Sequence, residues 1–254
     1  MEPHIRIINN AAGKILKPEG LFRVGSTRTW IEDNGYYFTI VAFESSALAK
    51  GSYLSVGLNY MWGTTKDADE YLCFHTGGRE YIRKGTQFIE YRPGLKNCDS
   101  IFEEGINEFA EAALQKVKEY RRYRDPDHAR EMLKRAVRDT PSEFQCWELY
   151  HLAMLCFFKG DHAEGLEAFY SYLDHAKNSI DKKTTILVGG EEREHIVHND
   201  WLEAFYQYCL EYIVPLTQDA MTAQKMVYDK INARRSLFST KRSYRGMNKE
   251  IVYS

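Results

Sequence analysis

The stretch that decides the fold covers residues 29–62 and reads TWIEDNGYYFTIVAFESSALAKGSYLSVGLNYMW. From Trp30 to Trp62 it predicts three successive β-strands. Asn34 and Gly35 separate the first two strands, and both residue types tolerate the positive φ that a two-residue type I′ hairpin requires. The second strand, from Tyr36 to Phe43, is apolar or aromatic at both alternating positions. It therefore predicts a central strand that is covered on both faces.

The third strand of this stretch has two different faces. One face is apolar and carries Leu54, Val56, Leu58, Tyr60 and Trp62. The other is small and mostly polar and carries Tyr53, Ser55, Gly57, Asn59 and Met61. An open polar face would form a shallow groove with Tyr53 and Asn59 in its lining. We expect helices to cover it instead, because the later helices must bury their own apolar stripes.

The composition bounds the class of protein. A chain of 254 residues with 44% hydrophobic and 28% charged residues is typical of a globular protein with one large or two small domains. Its net charge of −2 gives no overall attraction to nucleic acid or to anionic membranes. There is no signal-peptide start and no apolar run long enough to span a bilayer. The five scattered cysteines form no C-x-x-C pair, which favours free thiols in a reducing compartment, and we expect a cytoplasmic protein.

The periodicity changes once along the chain. Residues 3–17 predict an amphipathic helix, and further short strands are predicted near residues 21–24, 70–75 and 87–91. After Asp99 the apolar residues recur at helical spacing. The predicted fold class is therefore α+β. An N-terminal helix and antiparallel sheet form one domain, residues 1–122, and a helical region with a basic C-terminal tail forms a second, residues 123–254.

Residues 149–173 read LYHLAMLCFFKGDHAEGLEAFYSYL. Apolar and small residues at Leu149, Leu152 and Ala153, a turn at Gly160-Asp161, and the pair Gly165 and Phe169 resemble a tetratricopeptide hairpin. The preceding segment adds matches at Ala129, Leu133, Ala136 and Pro141, so the resemblance covers about residues 126–175. One and a half repeats are fewer than the roughly three that a free-standing array needs. The resemblance therefore implies helices that pack on another domain.

The first half of the chain contains KILKPEGLFRVG, TRTWIEDNGYYFTIVAF, GSYLSVGLNYMW and FEEGINEFAEAALQKV in this order. Together these stretches resemble a bacterial family known as domain of unknown function 4304, over residues 5–122. Gly20-Leu21-Phe22 stands where that family usually has Gly-Phe. The family has no established activity, so the resemblance implies a fold without a function.

Two groups of residues are candidates for chemistry. EEREHIVHND contains His195 and His198, but histidines three apart on a strand point to opposite faces, so we expect no metal site there. Cys73 and His75 would share one strand face, yet no signature of a thiol enzyme surrounds them. The chain also has no phosphate-binding loop, no dinucleotide fingerprint and no serine-nucleophile elbow. We expect no catalytic residues and no cofactor.

The C-terminal tail is basic. From Arg234 onward it has six basic residues and one acidic residue, a net charge of +5, so the rest of the chain carries −7. Arg234, Arg235, Lys241, Arg242 and Arg245 would contact phosphates if the chain bound nucleic acid. The acidic remainder opposes that function. The tail is expected either to be a solvated end or to dock on an acidic surface of its own chain or of a partner.

These patterns favour a non-catalytic adaptor that binds a protein or peptide, because tetratricopeptide-type hairpins present concave helical surfaces to such partners. The candidate contact residues are aromatic: Tyr150, Phe157, Phe158, Tyr170 and Tyr172. Two alternatives stay open. One is an enzyme whose site is assembled only in three dimensions. The other is an immunity-type protein that masks a toxin.

Overall fold

The structure is a computed structural model that describes residues 2–63, 74–80, 87–141, 145–188 and 191–254. It has a mixed α+β fold, as the sequence predicts. The chain divides into two compact units. The first comprises residues 1–124 together with Ile231–Tyr253, and the second comprises Asp125–Lys230 with the last residue.

Strands β1 to β6 of the first unit form one antiparallel sheet among the described residues, in the order β1-β2-β3-β4-β5, with β6 also paired to β4. Their bounds are Phe22–Arg23, Thr29–Asp33, Tyr37–Glu44, Gly51–Tyr60, Thr76–Arg79 and Phe88–Glu90. The three strands predicted between Trp30 and Trp62 are β2, β3 and β4, and β3 is central as predicted. The predicted strand at residues 70–75 lies largely outside the described residues.

The turn between β2 and β3 differs from the prediction by one residue. Asp33 is paired with Phe38, and the backbone N–H of Asn34 donates to the carbonyl of Tyr37 at 3.0 Å. The two turn residues are therefore Gly35 and Tyr36. Of these two turn residues, Gly35 has a positive φ, at 89°, and Tyr36 does not, which is the pattern of a type II′ turn rather than a type I′ turn.

Glycines allow another close approach in this sheet. Gly77 and Gly78, which would typically mark a turn, lie inside β5 and pair with Gly57 and Val56 of β4. A Cβ atom on Gly57 would lie 2.2 Å from the carbonyl oxygen of Thr76, so a larger residue would push the two strands apart. The glycines are therefore needed for the pairing itself.

One face of the sheet packs against helices α1, Pro3–Leu16, and α2, Cys98–Tyr120. The core between them is apolar and includes Ile8, Ala12, Trp30, Val41, Phe43, Leu54, Val56, Phe102, Ile106 and Phe109. Helix α2 therefore belongs to the first unit, as part of its core.

The opposite face of the sheet is covered by the C-terminal segment. Helix α7, Ala220–Thr240, begins in the second unit and ends in the first, where a short 3-10 helix, Arg242–Tyr244, follows it. The Phe238 ring lies 5.4 Å from that of Phe38 in β3, and both side chains are buried. The polar face of β4 is therefore covered by a helix, as expected, but the cover comes from residues that the sequence assigned to the second domain.

A buried ion pair fixes this segment to the sheet. The guanidinium of Arg235 binds both carboxylate oxygens of Asp33, at 2.6 and 2.7 Å, and both side chains are 5% exposed. Arg235 also donates to the carbonyl oxygens of Gly35 and Asn248, each at 2.6 Å. The Asp33 carboxylate in turn accepts the backbone N–H of Asn248 at 3.0 Å. The assignment of residues 231–253 to the helical domain was wrong. It was based on local periodicity, which carries no information about a contact between residues 202 positions apart.

The second unit is mainly helical. It contains α3, Pro126–Asp139, α4, Cys146–Lys159, α5, His162–Ile180, and α6, Asp200–Tyr208, which continues as a π-helical turn, Cys209–Ile213, and a 3-10 turn, Val214–Thr217. Between α5 and α6 lies an antiparallel hairpin of β7, Asp181–Val188, and β8, Glu191–His198. The stretch TTILVGGEEREHIV, residues 184–197, predicts such a hairpin with its turn at Gly189-Gly190, a pair that falls outside the described residues. Pro126 is the first residue of α3, a position where proline is well tolerated.

Replacing Asp33 by Ala should lower the free energy of unfolding by about 3–5 kcal/mol, because the guanidinium of Arg235 would then stay buried without its carboxylate. Urea denaturation measures the change. The matched control is Glu90→Ala, which breaks the exposed pair with Arg92 and should cost no more than about 1 kcal/mol. Equal small losses for both variants would contradict a structural role for the buried pair.

A second prediction concerns His75. Its Nδ1 accepts the backbone N–H of Tyr60 at 2.9 Å, and its ring stacks on that of Tyr60 at 6.0 Å. Burial lowers the pKa of His75 to about 3, and the positive charge of Arg234 acts in the same direction. The neutral ring is therefore part of the folded state.

Cys73, the other member of the candidate thiol–imidazole pair with His75, lies outside the described residues.

Below the ordinary histidine pKa of 6.5 the unfolded chain binds a proton at residue 75 and the folded chain does not. The contribution of His75 to stability is therefore complete above pH 6.5 and is lost as the pH falls towards 3, at about 1.4 kcal/mol per pH unit. The difference in unfolding free energy between the wild type and His75→Gln should change by that amount per unit between pH 6 and pH 5. A constant difference would mean that His75 titrates normally in the folded protein.

Candidate binding surface of the helical unit

Helices α4 and α5 form an antiparallel helical hairpin. The turn lies at Gly160, whose φ is 86°, so the residue types at Gly160-Asp161 suit the bend. A Cβ atom at Gly165 would lie 2.5 Å from the ring of Phe157, so the two helices approach closely at this glycine. The backbone of this segment thus follows the pattern that the sequence predicts for a helical hairpin.

Most of the predicted aromatic contact residues do not reach the surface. Tyr150, Phe157 and Tyr172 are buried between the helices, Phe158 is half-buried, and Tyr170 is exposed. Tyr150 and Tyr172 pack on each other at 5.3 Å. Burial also raises the pKa of Tyr172 far above its ordinary value. The assignment of the buried three as contact residues was wrong, because aromatic residues at helical spacing mark a core as readily as a binding face.

The two candidate contact residues in the first unit, Tyr53 and Asn59, are also not fully exposed. Asn59 is fully buried under the C-terminal segment, so it cannot contact a partner. Tyr53 is half-buried, with the ring of Phe88 at 4.7 Å and the guanidinium of Arg79 at 3.9 Å from its centre. The polar face of β4 is therefore not an open groove.

The second unit instead has a partly exposed row of aromatic rings that we call the aromatic ridge, in which Phe205 is buried, Trp147 and Tyr208 are half-buried, and Trp201 and Tyr212 are exposed. The last four recur at intervals of four, three and four residues and stack along one side of α6, with ring centres 5.3–6.0 Å apart. Trp147 of α4 joins the row at 5.0 Å from Trp201. Trp201 is 50% and Tyr212 54% exposed, so the ridge is open to solvent at both ends of α6 and its π-helical extension.

The aromatic ridge has a signal in the sequence, namely the spacing of residues 201, 205, 208 and 212. That spacing shows that the rings share one face of a helix. It does not show whether this face is core or surface, because the answer depends on which helices pack against it. The sequence-based selection therefore missed Trp147, Trp201 and Tyr212.

The β7–β8 hairpin projects next to this ridge. Every side chain of the hairpin that the structure describes is exposed, including the apolar Ile196 at 55% and Val197 at 48%. The strands are paired from Asp181 with His198 to Val188 with Glu191. An isolated two-stranded hairpin is only marginally stable in water, and within the described residues no third strand pairs with either outer edge, so these edges present backbone N–H and C=O groups.

A groove of about 560 Å³ lies where the hairpin joins the helices. Its lining consists of residues from four elements: Cys146, Trp147, Asn178, Ser179, Asp181, Lys182, Lys183, Asn199, Trp201 and Leu202. The side chain of Asn199 caps α6 by accepting the N–H of Leu202 at 3.0 Å. Two indole rings, amide groups and lysines thus surround one opening. Such a lining suits an apolar side chain of a partner peptide whose neighbouring residues are polar or acidic.

His195 and His198 cannot bind one metal ion from this hairpin, because β8 places residues three apart on opposite faces. His195 pairs across the hairpin with residue 184, whereas the His198 Nδ1 lies 2.7 Å from Asp181 and its Nε2 3.2 Å from Glu203. The hydrogen bond with Asp181, followed by that with Glu203, raises the pKa of His198. Within the described residues no group of three or more His, Cys, Asp or Glu side chains is arranged to hold a metal ion.

The cysteines that the structure describes are free thiols: Cys98, Cys146, Cys156 and Cys209. Burial raises the pKa of Cys146 to about 11 and of Cys156 and Cys209 to about 12. These three thiols are therefore protonated at neutral pH and are poor nucleophiles. They act as small apolar core residues.

The basic tail divides into two groups. Arg234 and Arg235 are buried, whereas Arg242 and Arg245 are exposed and Lys241 is half-buried. The tail is docked on its own chain and is not a frayed end. Two of the five candidate phosphate-binding residues are therefore unavailable to nucleic acid.

Comparisons with known proteins give no relative: no family model, no curated protein and no solved structure matches this chain. In the described part of the chain, no helix has the length and apolar character that crossing a membrane requires.

Replacing Asp181 by Asn should lower the pKa of His198 towards the ordinary histidine value, because the largest stabilising partner of the imidazolium would lose its charge. NMR titration of the histidine ring protons measures this pKa. Glu194→Gln, which removes an exposed carboxylate paired with Lys183 on the same hairpin, is the control and should leave the His198 titration unchanged. An unshifted pKa in the Asp181 variant would show that the base of the hairpin is not closed by this pair.

Proposed function

We propose that the chain is a non-catalytic protein-binding protein whose second unit binds an extended segment of a partner protein. The observation that carries this proposal is the exposed β7–β8 hairpin beside the aromatic ridge. A partner segment that adds as a strand to an outer edge of the hairpin gains backbone hydrogen bonds, which strand addition uses for affinity. The segment would also shield Ile196 and Val197 from water.

The aromatic ridge supplies the second part of the surface. Tryptophan and tyrosine side chains dominate the energetics of many protein interfaces, because they bury a large area at low cost in side-chain entropy. Trp201 and Trp147 pack on each other in the lining of the groove where the hairpin meets α6, so a partner side chain placed there would contact both rings. The proposal assigns specificity to this groove and affinity to the strand edge.

Both family resemblances and a cytoplasmic location are part of this proposal. The α4–α5 hairpin is taken as tetratricopeptide-like, the first unit as similar to domain of unknown function 4304, and the buried thiols support a reducing compartment such as the cytoplasm.

The test is affinity capture from a lysate of the native host with the full-length chain, followed by quantitative mass spectrometry. Trp201→Ala and Ile196→Glu should each reduce recovery of the same partner protein at least tenfold, because a central interface tryptophan contributes about 2 kcal/mol or more. Met221→Glu is the matched control. Met221 is an exposed apolar residue of the same unit, near the α4–α5 turn and far along the helices from the hairpin.

A partner retained by the Met221 variant and lost from both others would support the proposed surface. Equal recovery with all variants would contradict it. So would the absence of any captured protein while a metal ion or a metabolite raised the melting temperature, since that result would favour a small-molecule function.

A further inference from the structure

We propose that the first unit contains a binding site for a phosphate group, either free phosphate or a small phosphomonoester. The site is a pocket of about 630 Å³ between the turn after β1 and the C-terminal segment. Three arginines and two serines line it, namely Arg23, Arg242, Arg245, Ser26 and Ser243, around the ring of Phe22. The lining contains no acidic residue.

The arginines of this pocket are not neutralised by the chain itself. Arg242 and Arg245 are exposed and bind no carboxylate within the part of the chain that the structure describes. The Nε of Arg23 donates to the carbonyl of Gly25 at 3.2 Å, which leaves both of its terminal nitrogens available. By contrast, two other arginines of this unit bind carboxylates: Arg79 binds Glu44 at 3.1 Å and Arg92 binds Glu90 at 2.7 Å.

The walls of the pocket are tied together by the backbone. The N–H of Gly25 donates to the carbonyl of Ser243 at 3.2 Å. Gly246 packs directly on Phe22, where a Cβ atom would come within 2.3 Å of the ring. Tyr244, between Ser243 and Arg245, is buried against Phe238 at 4.5 Å. The segments that carry the arginines are therefore fixed, so a ligand does not have to order them.

The chemistry of the pocket fits a compact dianion. Guanidinium groups form paired, charge-assisted hydrogen bonds with phosphate oxygens, and serine hydroxyls can donate to the remaining ones. Three positive charges in one opening repel each other, and a bound dianion relieves this repulsion. An extended nucleic acid fits less well, because Arg234 and Arg235 of the same segment are buried and do not extend the basic lining of the pocket.

Isothermal titration with inorganic phosphate tests the site, with potassium chloride at matched ionic strength as the reference. The test variant is Arg242→Gln/Arg245→Gln. The control is Arg6→Gln/Arg122→Gln, which removes the same charge from two exposed arginines of the same unit outside the pocket. Phosphate should bind the wild type and the control, and about a hundredfold more weakly the test variant, a factor of about ten for each arginine.

A further titration with glycerol 3-phosphate identifies the form of the ligand. Glycerol 3-phosphate that binds more tightly than inorganic phosphate indicates a phosphomonoester, and weaker binding indicates the free anion. Equal phosphate affinity in the test and control variants would overturn the proposal, as would a response to chloride of the same size. Retention of a single-stranded oligonucleotide that is lost in the test variant, without any effect of phosphate, would also overturn it in favour of nucleic-acid binding.

Discussion

The pairing of Arg235 with Asp33 determines how the chain is organised. It joins the end of β2 to a helix 202 residues later in the chain. Both side chains are only 5% exposed, so water does not solvate the two charges. The same guanidinium binds the carbonyls of Gly35, Asn248 and Ile251. A buried charge without its partner is strongly destabilising, so the pair requires the C-terminal segment to lie on the sheet.

The position of that segment explains several other features. It covers the polar face of β4, so Asn59 and Ser55 are core residues and not the lining of a groove. Gly35 is required beside it, because a Cβ atom there would lie 2.5 Å from the hydroxyl of Tyr253. The segment also brings Arg242 and Arg245 to the turn after β1, which creates the basic pocket. The pocket of the first unit is therefore a consequence of how the C-terminal segment covers its sheet.

The local sequence pattern predicts where most helices and strands lie, but it does not predict which of them pack against each other. The alternation from Tyr37 to Glu44 predicts a central strand, and the spacing in α4 and α5 predicts a helical hairpin, because both depend on neighbouring residues. Whether Tyr150 or Trp201 faces solvent depends on which helix packs beside it, and the sequence carries no such information for a single chain.

The two units divide the proposed activities between them: a partner protein on the hairpin and aromatic ridge of the second, and a phosphate group in the first. The structural role of the C-terminal segment is the claim on which the description of the first unit depends. Hydrogen–deuterium exchange measures it most directly at the amides of Asn248 and Tyr253, which donate to the side chains of Asp33 and Asn232 at 3.0 Å. Protection of both amides well above that of an unstructured peptide is the predicted result. Exchange at the rate of a free peptide would contradict it.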